Sequence, residues 1–254
     1  MPQSSEHNPN LKQVLVTGAS GLIGTDLLDS IKSTHEVSTY GRRLIPGFEG
    51  VKGELSDRAA LDTAMSGINT VVHLAAVLPD IDDDDLLMSV NVNGTYNLFD
   101  SAKENGAKRI VLASTGAISG GYMDDPAVKQ IVAGNRSELD DQSLMISEMA
   151  PPRPAGIYAA TKIWGEALGR YHSEVNGISV VCLRLGRVIA SDDPEDDLRR
   201  SIHLSRRDAV QAITKSIEAP TRLKFACFYV SSNNPNRWRD NESARANIGY
   251  SPQD

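Results

Sequence analysis

A glycine-rich turn near the amino-terminus constrains this chain more than any other feature. The apolar segment Val14-Leu15-Val16 runs directly into Thr17-Gly18-Ala19-Ser20-Gly21-Leu22-Ile23-Gly24, and an apolar stretch of helical periodicity follows. Gly18 suits a tight turn, Gly21 lets backbone N–H groups approach a pyrophosphate, and Gly24 lets the helix pack closely on the strand. The helix N-terminus would then face the anion. The pattern predicts a phosphate cradle, with an unliganded glycine turn as the alternative.

Short apolar segments of strand character alternate with longer segments of helical periodicity from residue 13 to about residue 230. This alternation predicts an α/β fold, in which helices cover a parallel sheet. The predicted strands are Gln13–Val16, Glu36–Tyr40, a short segment around Val51, Thr70–Leu74, Arg109–Ala113, Ser179–Leu183 and Leu223–Val230. The predicted helices are Leu22–Lys32, Asp57–Met65, Asp84–Asn105, Tyr158–Asn176 and Arg207–Glu218.

The charge balance argues against several classes of partner. The 254 residues carry 33 acidic and 26 basic side chains, a net charge of −7. No stripe of Lys and Arg offsets this charge, so we expect no nucleic-acid or membrane partner. No apolar run approaches the roughly 18 residues of a membrane span, and the polar start MPQSSEHNPNLKQ lacks a signal-peptide pattern. We expect a cytoplasmic protein in which Cys182 and Cys227 are free thiols inside apolar runs.

Residues 116 to 156 interrupt the alternation. This stretch contains Gly120-Gly121, Pro126 and Pro151-Pro152-Arg153-Pro154. A connection of this length is typical of a lid, a binding loop or a disordered segment. No linker is long enough to separate two domains, so residues 1–254 are predicted to form one. The acidic run Asp80–Asp85 is interpreted as the solvated start of a helix, and no metal site is predicted.

The segment Tyr158-Ala159-Ala160-Thr161-Lys162 places a phenol and an ammonium group four residues apart, hence on one face of a helix. A free phenol titrates near a pKa of about 10. Proton abstraction from an alcohol near neutral pH therefore needs a nearby positive charge, which Lys162 can supply. The alternative is an amphipathic helix in which the two residues are incidental.

Together these segments resemble the extended short-chain dehydrogenases/reductases, the NAD-dependent epimerase/dehydratase family. TGASGLIG matches the glycine pattern of that family and YAATK its YxxxK motif. TVVHLAA, beginning at Thr70, resembles its fourth strand, and NVNGT, beginning at Asn91, resembles the following helix. The resemblance covers most of the chain and implies a Rossmann-type doubly wound parallel sheet with a small C-terminal substrate-binding portion. His73, flanked by Val72 and Leu74 in the predicted strand, is interpreted as structural.

The resemblance also implies a nicotinamide cofactor and a set of site residues. Thr115 would hold the substrate oxygen for the proton-transferring Tyr158, with Ser114 beside it on the cofactor side. Lys162 would lower the pKa of Tyr158 and hold the nicotinamide ribose, and Asn91 would support the site. The predicted cofactor-binding residues are Gly18, Ser20, Gly21, Leu22, Ile23, Gly24, Arg42, Arg43, Glu54, Leu55, Leu74, Ala75, Ala76, Asn91, Ser114, Tyr158 and Lys162.

The end of the second predicted strand bears on the choice of dinucleotide. An acidic side chain at that point would bond the ribose 2′-hydroxyl of NAD, but this chain reads Tyr40-Gly41-Arg42-Arg43. A guanidinium at Arg42 can instead form charge-assisted hydrogen bonds to a 2′-phosphate. We therefore expect NADP, with NAD as the second choice. A surface arginine pair without a ligand is the alternative.

Within the family the chain most resembles uronate dehydrogenase-like sugar dehydrogenases, through the segment that begins at Ser205 and the one from Ser232 to Asn241. Substrate-binding elements are thus expected at about 116–156 and 186–254. The chain departs from the uronate pattern at its predicted substrate positions, so the expected substrate is a sugar, a sugar acid other than uronate or a similar small hydroxy compound. The substrate positions are Leu78, Gly116, Ala117 and Arg187.

Three functions remain open from the residues and the resemblance. The first is an NADP-dependent dehydrogenase or reductase of a sugar, in which Arg187, Arg199 or Arg200 can hold an anionic group. The second is a nucleotide-sugar epimerase or dehydratase that retains its NAD(P). The third is a non-catalytic NADP-binding regulator. Many relatives are dimers, so a homodimer is expected by analogy alone.

Overall fold

The computed structural model describes residues 12–140 and 144–254, which form a seven-stranded parallel sheet flanked by helices. The α/β prediction with a doubly wound parallel sheet is confirmed. The strand order is β3-β2-β1-β4-β5-β6-β7. The strands are β1 (Gln13–Thr17), β2 (Glu36–Gly41), β3 (Glu49–Lys52), β4 (Thr70–His73), β5 (Arg109–Thr115), β6 (Ser179–Leu185) and β7 (Phe225–Val230).

All five predicted helices are present, and shorter ones accompany them. The helices are α1 (Leu22–Ile31), α2 (Arg58–Met65), α3 (Asp84–Leu87), α4 (Thr95–Glu104), α5 (Pro126–Val132), α6 (Ile157–Asn176), α7 (Asp197–Ser201), α8 (Arg206–Ile217) and α9 (Glu242–Ile248). The helix predicted over Asp84–Asn105 consists of α3, a π-helical segment Met88–Gly94 and α4. The helices α5, α7 and α9 were not predicted.

The two faces of the sheet each bury an apolar layer, which explains the near-continuous apolar strands. Because side chains alternate along a strand, Val14 and Val16 of β1 point to the layer that contains Leu28 of α1. Leu15 points to the opposite layer, which contains Phe99 of α4. Cys182 and Cys227 are opposite one another on β6 and β7, and both are free thiols.

The order in which successive strands are added to the sheet reverses between β1 and β4. From β1 it proceeds outward to β2 and β3, and it then returns to place β4 on the other side of β1. Thr17 at the end of β1 is in register with His73 at the end of β4. In open α/β sheets, ligands bind outside the carboxyl ends of the strands at such a reversal. The fold therefore positions a site beside Thr17 and His73.

The stretch after β5 is folded against the carboxy-terminal part of the chain. It begins with a 3₁₀ helix, Gly116–Asp124, which leads into α5, and a second 3₁₀ turn spans Arg136–Glu138. Val128 and Ile131 of α5 form a small core with Trp238. Ile146 pairs through its backbone with Arg239. The described residues of this stretch thus pack as part of the domain.

The acidic run Asp80–Asp85 caps a helix, as predicted. The carboxylate of Asp83 accepts a hydrogen bond from the backbone N–H of Leu86 at 2.9 Å, at the start of α3. In the described ranges, His, Cys, Asp and Glu side chains form no group of three or more that could hold a metal. No helix in the same ranges is both long and apolar enough to cross a bilayer.

Candidate active site

The glycine-rich turn brings β1, β4 and α1 to close approach. Gly18 has a φ of +72°, and a Cβ there would lie 2.6 Å from the backbone nitrogen of Ala75 and 2.7 Å from the carbonyl carbon of Leu74. A Cβ on Gly24 would lie 2.5 Å from the carbonyl oxygen of Gly18. Glycine at both positions is therefore a requirement of this packing, since a side chain would separate the helix from the strands.

The first turn of α1 presents backbone donors to the space above the sheet edge. Gly21 precedes the helix and provides no side-chain cap. The N–H groups of the first turn, at Leu22, Ile23 and Gly24, have no acceptor within the helix. Ser20 and Gly21 are exposed. A helix N-terminus with uncapped donors suits a phosphate group, and the residues present fit the predicted cradle.

Replacing Gly18 by Ala tests this packing. We expect Gly18→Ala to lower the free energy of unfolding by roughly 2 to 5 kcal/mol, through left-handed backbone strain together with overpacking against Ala75. NADPH binding, followed by its fluorescence, should be lost in the same variant. Gly47→Ala is the matched control, because Gly47 has a φ of +84° but no heavy atom lies within 4 Å of its added Cβ. Equal losses in the two variants would contradict the steric explanation.

Behind the cradle, a buried hydrogen-bonded chain joins β1, β4 and α4. The Thr17 hydroxyl lies 2.7 Å from Nδ1 of His73, whose Nε2 lies 3.1 Å from the Thr95 hydroxyl. The N–H of Ala75 donates to the same Thr17 oxygen at 3.3 Å. Burial, with a smaller effect of the Lys162 charge, lowers the pKa of His73 to about 3. His73 is therefore neutral and structural, as predicted.

Asn91 lies in the π-helical segment and holds the loop after β4 against α6. Its side-chain oxygen accepts from the N–H of Val77 at 2.8 Å, and its amide donates to the carbonyl of Val77 at 3.0 Å. The same amide reaches the Thr161 hydroxyl at 3.4 Å. π-helical segments are often found at functional sites. The side chain of Asn91 is thus used in support of the loop and helix around the site.

Thr115, Tyr158 and Lys162 all lie near the carboxyl end of β5. Thr115 is the last residue of that strand, and its hydroxyl accepts from the N–H of Ala117 at 3.2 Å. Tyr158 and Lys162 project from the first turns of α6, and Nζ of Lys162 lies 5.7 Å from the centroid of the Tyr158 ring. The same Nζ donates to the carbonyl of Ala113 on β5 at 3.0 Å. The structure therefore brings the three predicted catalytic residues to one edge.

Burial moves the pKa of both ionisable groups toward the neutral forms. It raises the pKa of Tyr158 to about 12 and lowers the pKa of Lys162 to about 8. Lys162 forms no ion pair within the described residues, and its hydrogen bond goes to a neutral carbonyl. Its positive charge is thus uncompensated, and it can favour the phenolate form of Tyr158. In this protein on its own, however, the phenol stays protonated near neutral pH.

Ser114 points away from Thr115, because neighbouring residues of a strand face opposite sides. Its hydroxyl donates to Oε1 of Glu166 at 2.7 Å. Glu166 also forms a two-bond ion pair with Arg184 of β6, at 2.9 and 2.8 Å, and both side chains are almost fully buried. This pair was not predicted from the sequence. The one available signal was the position of Glu166, four residues after Lys162 and therefore on the same face of α6. The side chain of Ser114 is thus engaged in this network.

Arg42 and Arg43 follow directly after Gly41, the last residue of β2, and both are exposed. In the described parts of the chain neither forms an ion pair, and a Cβ on Gly41 would meet no heavy atom within 4 Å. Glu54 is exposed, and its backbone carbonyl accepts from the Tyr40 hydroxyl at 2.6 Å.

The buried Leu55 packs closely on Gly94, because a Cβ on that glycine would lie 2.7 Å from Cβ of Leu55. Leu74, Ala75 and Ala76 follow directly on β4 beside the cradle and are partly exposed. These residues share the sheet edge on which the cradle lies.

The predicted substrate residues differ in their surroundings. Gly116 and Ala117 lie immediately after Thr115, whereas Leu78, in the loop after β4, is 55% exposed. Arg187 is exposed, and its backbone pairs with Ile202 and Leu204. Arg239, which was not predicted as a site residue, packs its guanidinium against Gly116.

Comparisons with known proteins agree with the fold. The NAD dependent epimerase/dehydratase family matches residues 14–221. An L-arabinose 1-dehydrogenase (NAD(P)(+)) of Haloferax volcanii is 32% identical, over 96% of this chain and 97% of its own. An NAD-dependent glucose-6-phosphate dehydrogenase of the same organism is 29% identical, over 95% of this chain and 93% of its own. The crystal structure of a uronate dehydrogenase from Agrobacterium tumefaciens, complexed with NAD, matches with a TM-score of 0.79 at 25% identity. The match covers 96% of this chain and 85% of that one.

Proposed function

Because the chain belongs to the NAD dependent epimerase/dehydratase family, we propose that it is a sugar dehydrogenase that uses a nicotinamide dinucleotide. The substrate is a sugar or a similar small hydroxy compound that is oxidised at a hydroxyl-bearing carbon, or reduced at a carbonyl carbon in the reverse direction. The observation that carries this proposal is the placement of Thr115, Tyr158 and Lys162 at the sheet edge beside the phosphate cradle. Relatives that oxidise sugars support it.

When bound, the nicotinamide supplies the acceptor or donor of the hydride. The first turn of α1 would hold the pyrophosphate through its backbone N–H groups. Lys162 would hold the nicotinamide ribose and would keep its hydrogen bond to the carbonyl of Ala113. Thr115 would hold the substrate hydroxyl through its own hydroxyl group, and Tyr158 would take the proton of that substrate hydroxyl.

Tyr158 needs positive charge for this role, because its pKa of about 12 in the protein alone disfavours phenolate. Lys162 supplies one positive charge on the same face of α6. Proton abstraction is thus expected when the positively charged oxidised nicotinamide is bound as well, since a phenolate in a dry site responds strongly to nearby positive charge.

Absorbance at 340 nm in the presence of added coenzyme tests this function. NADP and NAD are each supplied in excess, with a panel of aldoses, uronic acids and aldehydes. A dehydrogenase produces reduced coenzyme in proportion to the substrate consumed. An epimerase or dehydratase that recycles a retained cofactor changes the sugar without this growth in absorbance. A regulator without catalytic activity leaves the sugars unchanged.

We propose NADP as the preferred coenzyme, on the basis of the exposed Arg42 after β2, which forms no ion pair with any residue that the structure describes. Arg42→Ala is expected to lower kcat/KM for NADP by about 10- to 100-fold, because a charge-assisted hydrogen bond to the 2′-phosphate is lost. The value for NAD should change little, since NAD has no phosphate at that position. Arg222→Ala, which removes an exposed arginine before β7, is the control. Equal losses with both coenzymes would contradict the proposed role of Arg42.

The remaining expectations stay predictions. Residues 1–254 are proposed to form one domain, with substrate contacts from about 116–156 and 186–254. A homodimer is expected by analogy with relatives of the family. On α4 and α6, which pack against each other, Tyr96 and Val175 are 50% and 64% exposed. These helices would provide the contact face of the dimer. The protein is predicted to be located in the cytoplasm.

A further inference from the structure

Arg239 is a buried arginine in the segment between β7 and α9. Its residue exposure is 5%. Its backbone pairs with Ile146, which ties the backbone of this segment to the stretch before α6. The guanidinium lies over the ring of Trp238 at 4.3 Å and 6.0 Å from the ring centroid of Tyr229. The guanidinium of Arg239 thus packs against aromatic side chains.

The guanidinium of Arg239 has few partners for so buried a group. Its Nε donates to the Ser119 hydroxyl at 3.0 Å. Within residues 12–140 and 144–254, Nη1 and Nη2 make no hydrogen bond, and no carboxylate lies within ion-pair distance of them. Burial accordingly lowers the pKa of Arg239 to about 10. A buried charge without an anionic partner is costly, which points to a ligand that supplies acceptors for Nη1 and Nη2.

Other buried arginines of this protein are satisfied by the protein itself. Arg184 forms two hydrogen bonds with the carboxylate of Glu166. Arg109 donates to the carbonyls of Ile217, Ala219 and Pro220. Compared with these two side chains, Arg239 lacks both a carboxylate and a carbonyl group. The difference indicates that the Nη1 and Nη2 groups of Arg239 do not serve to join parts of the fold.

The guanidinium of Arg239 occupies the side-chain space of Gly116. A Cβ on Gly116 would lie 2.5 Å from Nη1 and 2.8 Å from Cζ. Since Gly116 directly follows Thr115, Nη1 lies within roughly 8 Å of the Cα of Thr115. The absence of a side chain at position 116 therefore lets a positive charge approach the residue that would hold the substrate oxygen.

The candidate site carries positive charge that no described carboxylate balances. Lys162 bonds to a neutral carbonyl, and Arg239 bonds to a neutral hydroxyl. The carboxylate of Glu166 is already engaged by Arg184 and Ser114. The planar fork of a guanidinium matches the two oxygens of a carboxylate or phosphate. Such a site favours a substrate that carries an oxyanion.

We propose that Arg239 binds an oxyanion of the sugar substrate, a carboxylate or a phosphate, and so makes the enzyme selective for acidic sugars. This inference rests on the proposed sugar dehydrogenase function and names its substrate class. It also replaces the earlier candidates for an anion contact. Arg187 and Arg200 are exposed, and Arg199 is paired with Asp196 at 2.6 Å and with Glu195 at 2.9 Å.

Three sugars that differ only at C6 test the inference: D-glucose, D-glucuronate and D-glucose 6-phosphate. For the protein as it exists, we expect kcat/KM for one of the two acidic sugars to exceed that for D-glucose by at least about 100-fold. A preference for D-glucuronate would show that the site binds a carboxylate, and a preference for D-glucose 6-phosphate would show that it binds a phosphate. In Arg239→Gln, this preference should fall by about 100-fold, chiefly through KM. Arg239→Lys should retain part of it, because the charge stays but the fork is lost.

Gly116→Ala gives a second test that does not remove the arginine. The added Cβ would displace the guanidinium, so the preference for the acidic sugar should also fall. Arg222→Gln is the control for a general loss of positive charge, and its preference should equal that of the unchanged protein. Thermal unfolding and NADPH binding are measured for every variant, so that a folding defect is recognised as such.

Two results would overturn the inference alone. One is a protein that oxidises D-glucose as well as it oxidises either acidic sugar. The other is an Arg239→Gln variant that folds and keeps the preference within threefold of its original value. If Arg239→Gln does not fold, an unchanged preference in Gly116→Ala overturns it equally. Failure to oxidise any sugar of the wider panel would instead contradict the proposed function, and the inference with it.

Discussion

Tyr158→Phe is expected to lower kcat by about 10²- to 10⁴-fold, the usual contribution of a positioned acid or base. The hydroxyl removed is the only part of Tyr158 that can exchange a proton, whereas the ring that packs near Lys162 stays. Coenzyme binding should therefore be nearly unchanged. Steady-state rates at saturating coenzyme, together with fluorescence titration with NADPH, measure the two quantities separately.

Tyr171→Phe is the matched control for this experiment. Tyr171 lies on the same helix, α6, but it is 53% exposed and takes no part in the site. Its removal should leave kcat within twofold of the original value, as is usual for a surface change. Full activity in Tyr158→Phe, or an equal loss in both variants, would exclude Tyr158 as the proton-transferring group.

Glu166→Gln is expected to lower the free energy of unfolding by about 3 to 5 kcal/mol. The substitution leaves the guanidinium of Arg184 buried with no carboxylate, and the two hydrogen bonds at 2.9 and 2.8 Å lose their charged acceptor. The Ser114 hydroxyl loses a charged acceptor as well. Equilibrium unfolding in urea, monitored by tryptophan fluorescence, measures the change.

An exposed ion pair of α6 provides the comparison. Arg170 and Glu174 lie 3.0 Å apart, but their side chains are 59% and 62% exposed. Glu174→Gln should therefore cost less than about 1 kcal/mol. The double variant Glu166→Gln with Arg184→Met should be more stable than Glu166→Gln alone, because it leaves no unpaired buried charge. Similar losses for the buried and the exposed pair would show that burial does not determine the cost.

Much of the fold could be predicted because its determinants are local. Apolar strands separated by helical segments define a covered parallel sheet, and each predicted strand is present. β7 begins at Phe225 and not at Leu223, since Leu223 closes a turn with the carbonyl of Pro220. The cradle was equally predictable, because the need for glycine at Gly18 and Gly24 follows from backbone geometry and close packing.

The convergence of Thr115, Tyr158 and Lys162 was predictable for two reasons. A residue at the carboxyl end of a parallel strand lies at the ligand-binding edge of the sheet, and residues four apart share one face of a helix. The chemical roles of these residues came from the resemblance to a family. Geometry alone predicts their proximity, and in the structure Lys162 lies beside the Tyr158 ring and contacts β5, the strand that Thr115 ends.

Arg239 and the Glu166–Arg184 pair could not be predicted, because their contacts join parts of the chain far apart in sequence. Nothing in the segment around Trp238 shows that its neighbouring guanidinium will reach Gly116. The short helices after β5 were missed for a related reason. Their glycine and proline residues resemble those of a loop, and it is packing against Trp238 that holds α5 in place.

Transfer of an isotope label tests the central claim most directly. The sugar that reacts best in the panel is prepared with deuterium at the carbon to be oxidised, and it is converted in ordinary water with an excess of oxidised coenzyme. One deuterium atom per molecule of reduced coenzyme, found at C4 of the nicotinamide by NMR, is the expected result. Reduced coenzyme without deuterium, or a converted sugar with no reduced coenzyme released, would contradict direct hydride transfer to an exchangeable coenzyme at the edge formed by Thr115, Tyr158 and Lys162.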